Sequence, residues 1–317
     1  MLTSLMPFVD AAAARLAGES REFYAGRPTG HGPRDHDELL YARTLVMEQS
    51  SDPAALRRTA NALGIAVPVR VILPTDATPV GVYLHCHGGG FYLGSPATAD
   101  AQNRRIADAL SVAVVCPDYR LAPENPWPAA PDDCEAVAVW VRDRGRQEFG
   151  TNRLVLGGTS AGATLAMTTL LRLRDSDRAD HVVATTLRYG TYDLSGTTPA
   201  GRRIADEFFI EAYLGHVDDR TDPDISPVFA DLSGLPPTML TIGSEDILLE
   251  DNLTMAARLC VAGNDVVVRV YPESPHGFTG HPTSMAALAC RDIVAWMARQ
   301  YCTVSPDYSA SHGGRST

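Results

Sequence analysis

From residue 67 onward, short apolar runs alternate with longer amphipathic segments along the chain. The runs have the length of strands and are rich in Val, Leu and Ile, whereas the longer segments place apolar residues at helical spacing. Such an alternation predicts a mostly parallel sheet with helices on both faces. Strands are predicted at 67–73, 80–86, 112–116, 153–157, 182–190, 238–243 and 266–271, and helices near 98–110, 132–148, 161–174, 248–262 and 284–300.

Other segments depart from this rhythm. The first two apolar runs are joined by the turn 74–79, which is too short for a crossover, so this pair is expected to be antiparallel. Between 191 and 237 there is no strand pattern, and the helix-like run 204–215 predicts a lid or cap element. Residues 303–317 are polar and rich in Ser and Gly, which predicts a disordered tail.

The chain carries a large acidic excess. Its 27 basic and 38 acidic residues give a formal net charge of −11 over 317 residues. A surface of this kind repels phosphate backbones and anionic lipid, so neither nucleic acid nor a membrane surface is expected as a partner. All of the basic residues are Arg and no Lys is present, which excludes lysine Schiff-base, P-loop and Ser-Lys chemistry.

The six cysteines are scattered, without paired or zinc-like spacing. Cys86, Cys116 and Cys260 lie in apolar stretches, which predicts buried free thiols. Reduced thiols, together with the lack of a signal-peptide pattern and of an apolar run of about 18 residues, predict a cytoplasmic protein. The polar run that contains His31 and His36 fixes no coordination geometry, so no metal site is expected.

The sequence Gly158-Thr159-Ser160-Ala161-Gly162 follows a predicted strand and precedes a predicted helix. A sharp strand-to-helix turn needs small residues on both flanks, because the backbone of the central serine is strained. The N-terminus of the following helix also directs partial positive charge towards the serine oxygen. Ser160 is therefore the candidate nucleophile.

A second glycine-rich motif, His87 to Gly90, stands at the end of an earlier predicted strand. Its glycines allow backbone N–H groups to approach a substrate oxygen with no side chain in the way. The N–H groups of Gly88 and Gly89, together with that of Ala161, are therefore predicted to form an oxyanion hole.

With a nucleophile of this kind, the acid and then the base are expected later in the chain. Asp246 follows the penultimate predicted strand and His276 follows the last one, so both are expected at the sheet edge that carries the elbow. Glu245, Glu250 and Asp251 are alternative acids. The latter two fall in the first turn of a predicted helix, where carboxylates are common for dipole reasons alone.

These motifs, with the stretch from Asp118 to Ala130, resemble the hormone-sensitive-lipase-like esterases of bacterial family IV over about residues 67 to 300. The chain is similar to the GTSAG branch of that family, because Thr159 stands where Asp is commoner. The resemblance implies an α/β-hydrolase fold, with a mostly parallel eight-stranded sheet flanked by helices. It also implies a small helical cap from residues 1–45 and 191–225, on a catalytic domain of residues 46–190 and 226–302.

By position, the resemblance makes Ser160 the nucleophile, Asp246 the acid and His276 the base of a serine carboxylesterase. It implies hydrolysis of short- to medium-chain esters through an acyl-enzyme, without a metal or organic cofactor. An amidase, thioesterase or acyltransferase with the same triad, or a non-catalytic ligand-binding homologue, remains an alternative. The oligomeric state is left open, with a homodimer as one alternative. The substrate pocket is expected to include the aromatic residues Phe91, Tyr92, Phe208, Phe209, Tyr213 and Phe278.

Overall fold

The computed structural model describes residues 8–27, 32–47 and 52–302, so the tail predicted at 303–317 lies outside the described residues. The strands are β1 (Leu56–Ala62), β2 (Ile65–Ile72), β3 (Gly81–Cys86), β4 (Val112–Pro117), β5 (Leu154–Thr159), β6 (Val182–Arg188), β7 (Thr238–Gly243) and β8 (Val266–Tyr271). The helices are α1 (Ala11–Tyr24), α2 (His36–Met47), α3 (Asp100–Leu110), α4 (Ala129–Phe149), α5 (Ala161–Asp175), α6 (Phe208–Leu214), α7 (Leu249–Val261) and α8 (Ser284–Cys302).

The strands form one eight-stranded sheet in the order β1-β2-β4-β3-β5-β6-β7-β8. Strands β3 to β8 are parallel, and β2 pairs antiparallel with both β1 and β4. This confirms the predicted fold class. Strands β2 and β3 run antiparallel as expected, but they do not pair with each other, because β4 lies between them. Strands β3 and β4 are buried along their whole length and take central positions, whereas β2 alternates between exposed and buried residues and suits a place near the edge.

Strand β1 is absent from the prediction. Arg57 and Arg58 are exposed on it, and Ala60 is its one buried residue. An edge strand with so few apolar positions gives no alternating signal, and it forms because the tight turn at Leu63 and Gly64 folds it back on β2. A polar edge of this kind also discourages pairing with other chains.

The central strands read as continuous apolar runs because both faces of the sheet are covered. Neighbouring residues on one strand, such as Val155 and Leu156, belong to different buried clusters. The cluster with Leu156 includes residues of α4 and α5, and the cluster with Val155 includes residues of α3 and α8. Among the described residues, no helix has the length and apolar character needed to cross a membrane.

The cysteines give one correction. Cys86 and Cys116 are buried free thiols, as predicted, but Cys260 is exposed. It lies in the last turn of α7, where Leu259 packs inward while Val261 is 89% exposed. Some apolar residues in the last turn of this helix therefore face solvent. The prediction that Cys260 is buried is wrong for this reason.

The N-terminal helix α2 is fastened to the loops that follow β3 and β4. The guanidinium of Arg43 donates to the carbonyl oxygens of Tyr92 and Ala122, at 2.9 and 2.7 Å, and forms an ion pair with Glu124. Two backbone carbonyls and a carboxylate thus accept from a largely buried Arg, so α2 is held against the loops at this edge of the sheet.

The first turn of α5 touches the end of β3 at Gly162. A Cβ atom at this position would overlap the carbonyl oxygens of Cys86 and His87. These atoms are backbone, so they cannot move aside as a flexible side chain could.

We therefore expect Gly162→Ala to lower the free energy of unfolding by about 1–3 kcal/mol or more, the usual cost of overpacking. Gly18→Ala is the matched control, because nothing lies within 4 Å of a Cβ there and the residue is in the interior of α1. The control should change stability by less than about 1 kcal/mol, in the stabilising direction. Urea unfolding of both variants checks this, and a Gly162→Ala midpoint at or above that of the wild type would contradict it.

Candidate active site

Ser160 lies in the turn between β5 and α5 with a positive φ of 53°. Its backbone N–H donates to the carbonyl oxygen of Arg188 at 2.9 Å, which ties the turn to the end of β6. A Cβ at Gly158 would overlap the carbonyl group of Gly162, so the turn accepts no side chain at that flank. The local sequence therefore allows the strained conformation that presents the serine hydroxyl at the sheet edge.

His276 lies between Ser160 and Asp246. Its Nε2 is 2.9 Å from the Ser160 Oγ, and its Nδ1 is 2.9 and 3.1 Å from the two carboxylate oxygens of Asp246. A carboxylate only accepts hydrogen bonds, so Nδ1 carries the proton and Nε2 accepts from the serine hydroxyl. The Asp246 side chain is fully buried and that of His276 is 38% exposed. The acid is shielded while the base stays within reach of a bound molecule.

The alternative acids lie elsewhere. Glu245 and Glu250 are exposed and line a groove of about 770 Å³ beside the Asp246 loop, together with Arg203 of the 191–225 segment. Asp251 is buried, and its carboxylate accepts from backbone N–H groups after β6. Neither Ser160 nor His276 lines the groove, so it flanks the acid loop rather than the serine.

The loops after β7 and β8 hold each other in place. The backbone N–H of Glu245 donates to the carbonyl oxygen of Ser274 at 3.0 Å, and that of Glu273 donates to the Ser244 hydroxyl at 2.9 Å. Glu273 itself has a positive φ of 53°. Because these bonds join the loop of Asp246 to the loop of His276, the relative position of the two side chains is set by backbone contacts.

Helix α1 adds a third support to the His276 loop. The buried Ser20 hydroxyl donates to the carbonyl oxygen of Glu273 at 2.7 Å, and Arg21 forms an ion pair with the Glu273 carboxylate at 2.8 Å. Tyr24 and His281 form a further hydrogen bond at 2.8 Å. The Arg21 side chain is 64% exposed, so its ion pair contributes little, and the buried Ser20 bond is the firmer contact.

The glycine-rich loop after β3 lies directly against the serine turn. A Cβ at Gly88 would come within 2.8 Å of the Thr159 carbonyl oxygen and 3.3 Å of the Ser160 Cβ. Gly89 has a φ of 124°, which strongly disfavours other residues. Within the described part of the chain, the backbone N–H groups of Gly88, Gly89 and Ala161 donate no hydrogen bond. Gly88 thus lies against the serine turn and Ala161 directly follows Ser160, so two of the three residues predicted to donate to an oxyanion are next to the serine.

His87 and Tyr119 brace this loop from below. Burial lowers the pKa of His87 to about 4, against the opposing effect of its hydrogen bond to Gly88. The ring is therefore neutral, and its Nδ1–H donates to the Gly88 carbonyl oxygen at 2.8 Å. The Tyr119 ring stacks on it at 4.2 Å between centroids, and its hydroxyl donates to the His87 carbonyl oxygen at 2.9 Å. The carbonyl groups of His87 and Gly88 are thus both fixed by hydrogen bonds.

The six aromatic residues predicted for the pocket fall into two groups. Phe91 and Tyr213 are buried and stack with centroids 4.1 Å apart, so α6 packs on the glycine-rich loop. Phe209 is half-buried and would contact a Cβ at Gly90 at 3.1 Å. Tyr92 lies near both Phe208 and Phe209 in the same group.

Phe278 belongs to the other group. It is buried against Tyr271 and Tyr189, on the side of the sheet that α8 covers. Phe278 does not contact the aromatic residues of α6, because the loop that carries His276 directs its ring towards the core.

Tyr189 is a site residue that the sequence reasoning missed. Its ring contacts the His276 ring edge to face, with centroids 5.1 Å apart, and its hydroxyl bonds to the Thr279 Oγ1 at 2.6 Å. The prediction placed it inside a strand ending at residue 190, whereas β6 ends at Arg188 and Tyr189 has a positive φ of 41°. The signal that could have found it is position, since the first residue after a parallel strand lies at the edge that carries the site.

Asp251 fastens the segment that follows Tyr189. Its Oδ2 accepts from the backbone N–H groups of Tyr192 and Asp193, and the neighbouring Asn252 donates to the Gly190 carbonyl oxygen at 2.8 Å. Burial raises the pKa of Asp251 to about 7, although the two N–H groups favour the ionised form. The carboxyl group therefore changes its charge near neutral pH, next to the site.

The described residues contain no group of three or more His, Cys, Asp and Glu side chains that could hold a metal ion. His31 lies outside the described residues. His85 is buried, with its Nδ1 2.9 Å from the Asn103 Oδ1 and its Nε2 2.8 Å from Arg188. The chemistry that the arrangement offers is that of a hydroxyl, an imidazole and a carboxylate in one hydrogen-bonded chain, facing backbone N–H donors.

The profile of a family described as alpha/beta hydrolase fold matches residues 83–280. Carboxylesterase NlhH of Mycobacterium tuberculosis is 35% identical over 277 residues, which cover 80% of this chain and 86% of the relative. Carboxylic ester hydrolase LipN of the same organism is 33% identical over 230 residues, covering 67% of this chain and 61% of LipN.

Among solved structures, a hormone-sensitive lipase from a metagenome library superposes with a TM-score of 0.72 at 27% identity. The match covers 92% of this chain and 99% of that structure. The similarity thus extends well beyond the motifs and includes the segments before β1 and after β6.

The raised pKa of Asp251 generates a prediction about stability. In the unfolded chain the carboxyl group ionises near its ordinary pKa of 3.8, so between about pH 4 and 7 the folded state binds more protons than the unfolded state. The stability that Asp251 contributes is therefore complete below about pH 4 and is lost as the pH rises to about 7.

Asp251→Asn removes this titration, so the variant should gain free energy of unfolding relative to the wild type from pH 4 to 7, with no further gain above about 7.5. Urea unfolding of both proteins across this range measures the difference. A difference that stays constant from pH 4 to 8 would show that Asp251 titrates alike in both states.

Proposed function

The chain belongs to the alpha/beta-hydrolase family, in its hormone-sensitive-lipase-like branch, and from this premise we propose that it is a serine carboxylesterase. The observation that carries the proposal is the hydrogen-bonded chain from Ser160 through His276 to Asp246. It ends beside the N–H groups of the glycine-rich loop, so the nucleophile and the donors can reach the two atoms of one ester carbonyl.

In the first step, the Ser160 Oγ attacks the carbonyl carbon while His276 Nε2 takes the hydroxyl proton. Asp246 accepts from Nδ1–H throughout, so it fixes the tautomer and stabilises the imidazolium that forms. The carbonyl oxygen becomes an oxyanion beside the N–H groups of Gly88, Gly89 and Ala161. Each donor in such a hole typically contributes about 3–4 kcal/mol to the transition state.

The imidazolium then returns its proton to the leaving alcohol, and the C–O bond of the ester breaks. An acyl group is left on Ser160. Water attacks this acyl-enzyme with His276 again as base, and the acid product leaves. All of the proton transfers use one nitrogen atom, which its 2.9 Å contact with the serine oxygen supports.

The substrate pocket is proposed to lie between the glycine-rich loop and α6. Phe208 and Phe209 are the aromatic residues of this region that keep exposed surface, whereas Phe91 and Tyr213 are buried behind them. Residues 1–45 and 191–225 form the proposed cap over the catalytic domain. The attachments of Arg43 to the loops after β3 and β4, and of α6 to Phe91, support this division.

The proposed substrates are small neutral esters, and the proposed location is the cytoplasm. All six cysteines are within the described residues and are free thiols, which fits a reducing compartment. The net charge of −11 disfavours anionic substrates, because the surface potential would repel them.

A fluorophosphonate probe tests the nucleophile directly. The wild-type protein should become labelled on Ser160, as judged by peptide mass, and should hydrolyse p-nitrophenyl butyrate. A protein that neither reacts with the probe nor cleaves this ester would support the non-catalytic alternative. Faster cleavage of matched amides or thioesters than of the oxygen ester would instead identify a different hydrolase.

Removal of any triad member should nearly abolish ester hydrolysis, because the three groups act as a unit. We expect Ser160→Ala and His276→Ala to lower kcat by at least about a thousandfold, and Asp246→Asn by a similar factor, because the wrong imidazole tautomer then faces the serine. Glu245→Gln is the matched control and should keep near wild-type activity. Initial rates at saturating ester measure these effects. Loss of activity in the control but not in Asp246→Asn would reverse the assignment of the acid.

Acyl-chain length should set a sharp limit on activity. Each buried methylene contributes about 0.8 kcal/mol, so kcat/KM should rise roughly fourfold per carbon and then fall between about C6 and C10, where the pocket ends. In Phe209→Ala the fall should move to longer chains, since the ring beside Gly90 is removed. Phe229→Ala is the control, because Phe229 lies outside the aromatic group of α6. Rates over a p-nitrophenyl ester series measure this, and an unmoved limit in Phe209→Ala would place the acyl pocket elsewhere.

A further inference from the structure

Ser20 lies on the buried face of helix α1, in line with two alanines. The buried residues of this helix are Ala13, Ala17 and Ser20, which follow each other at helical spacing. Small side chains let α1 lie close to the core, where Ala13 belongs to the same buried cluster as Tyr271 and Phe278. Alanine at position 20 would form helix better than serine and would bury no polar group. Packing alone therefore gives no reason for the serine.

The Ser20 hydroxyl makes its hydrogen bond outside its own helix. A serine within a helix commonly donates to a carbonyl oxygen of the preceding turn, whereas this hydroxyl donates to the Glu273 carbonyl oxygen at 2.7 Å. Its Oγ is also 3.3 Å from the Ser274 Oγ. Ser20 and Ser274 are both almost fully buried. The hydroxyl therefore connects the buried face of α1 to the loop after β8.

The carbonyl group that Ser20 holds belongs to a strained residue. Glu273 has a φ of 53°, a left-handed conformation that residues other than glycine rarely adopt. Its N–H donates to the Ser244 hydroxyl at 2.9 Å, so side-chain hydroxyls bind both polar groups of its backbone. A strained conformation persists only where its surroundings fix it. The backbone that leads to His276, three residues later, is thus fixed by the Asp246 loop and by α1.

Helix α1 also holds the far end of the loop that carries the imidazole. The Glu19 carboxylate accepts from the backbone N–H of Ser284, the first residue of α8, at 2.9 Å. Tyr24 and His281 share a hydrogen bond of 2.8 Å. Both contacts are exposed, so the buried hydroxyl bond is the firmer attachment. One helix therefore spans the loop from its first residues to its last.

We propose that Ser20 is a positioning residue for the catalytic base, His276. Its hydroxyl fixes the strained backbone at Glu273, and this sets the distance between the imidazole and the Ser160 hydroxyl. The inference rests on the proposed esterase function. Without the hydroxyl, Glu273 can leave its left-handed conformation, and the following residues move with it. The 2.9 Å contact between His276 Nε2 and Ser160 Oγ would then lengthen, and a displacement of about 1 Å costs about a hundredfold in rate.

Hydrolysis of p-nitrophenyl butyrate by Ser20→Ala tests the proposal. Active sites are counted by complete labelling with the fluorophosphonate probe, so unfolded protein does not enter the measured kcat. We expect kcat to fall about ten- to a hundredfold and KM to stay within about twofold of the wild type, because the base is displaced and the pocket is not. Ser20→Cys keeps nearly the same volume with a weaker donor, so its kcat should be intermediate. This variant also decides the question where Ser20→Ala does not fold.

Arg21→Met is the matched control. It removes the exposed ion pair between the same helix and the same loop residue, Glu273, and leaves the Ser20 hydroxyl in place. Its kcat should stay within about twofold of the wild type, since exposed ion pairs contribute little. An equal fall of kcat in Arg21→Met and Ser20→Ala would show that any loosening of α1 has this effect, which would overturn the specific role of Ser20.

A double-mutant cycle shows whether Ser20 acts through His276. In the His276→Ala background, Ser20→Ala should change the residual rate per folded protein by less than about twofold, because no imidazole is left to be positioned. The same fall in both backgrounds would assign Ser20 a structural role only, and an unchanged kcat in Ser20→Ala would also overturn the proposal. A wild-type protein that neither cleaves the ester nor reacts with the probe would instead overturn the proposed function, so the two failures are distinct.

Discussion

The close approach of the α5 N-terminus to the end of β3 is the constraint on which the site depends. Gly162 packs against the carbonyl groups of Cys86 and His87, and Gly158 packs against Gly162. Because the N-terminus of α5 lies so close to the end of β3, the glycine-rich loop reaches the serine turn, and Gly88 lies next to the Thr159 carbonyl oxygen. A side chain at any of these glycines would move the N–H donors away from the hydroxyl. Catalysis by positioned donors is sensitive to displacements of about 1 Å, so the glycines are required by distance as well as by φ.

The acid and the base are placed by a different device. Strands β7 and β8 are adjacent and parallel, so their carboxyl ends deliver Asp246 and His276 to the same edge. Backbone bonds between the two loops, supported by Ser20 of α1, then fix the loops relative to each other. Folding therefore meets the entropic cost of ordering the triad before a substrate arrives. This explains why an N-terminal helix, remote in sequence, contacts the loop that carries the imidazole.

The sequence predicted the elements whose signal is local. Continuous apolar runs identified the central strands, and the serine turn was recognisable because small residues stand between a strand and a helix. Strand order was not predictable from loop length. Strand β4 is buried on both faces, and it takes the central position between β2 and β3. The exposure of Cys260 and the contact of Tyr189 with His276 depend on which way the backbone turns at the end of a helix or a strand. Hydrophobic pattern does not encode that direction.

Two buried charged residues flank the segment after β6. One is Arg188, whose buried Nε and Nη1 have no hydrogen-bond partner among the described residues, and the other is Asp251, whose pKa burial raises to about 7. Apolar residues of similar volume at such a position are often neutral or stabilising, so packing alone gives no reason for Arg188. Asp251 has a structural role, because its carboxylate accepts from two backbone N–H groups. Between Arg188 and Asp251, Tyr189 touches the imidazole. Residues that break the usual rules of burial are expected at functional sites. A buried charge is useful in a catalytic site because water does not screen it. The same absence of water means that burying the charge lowers the free energy of unfolding, and the close packing around the sheet must offset this loss.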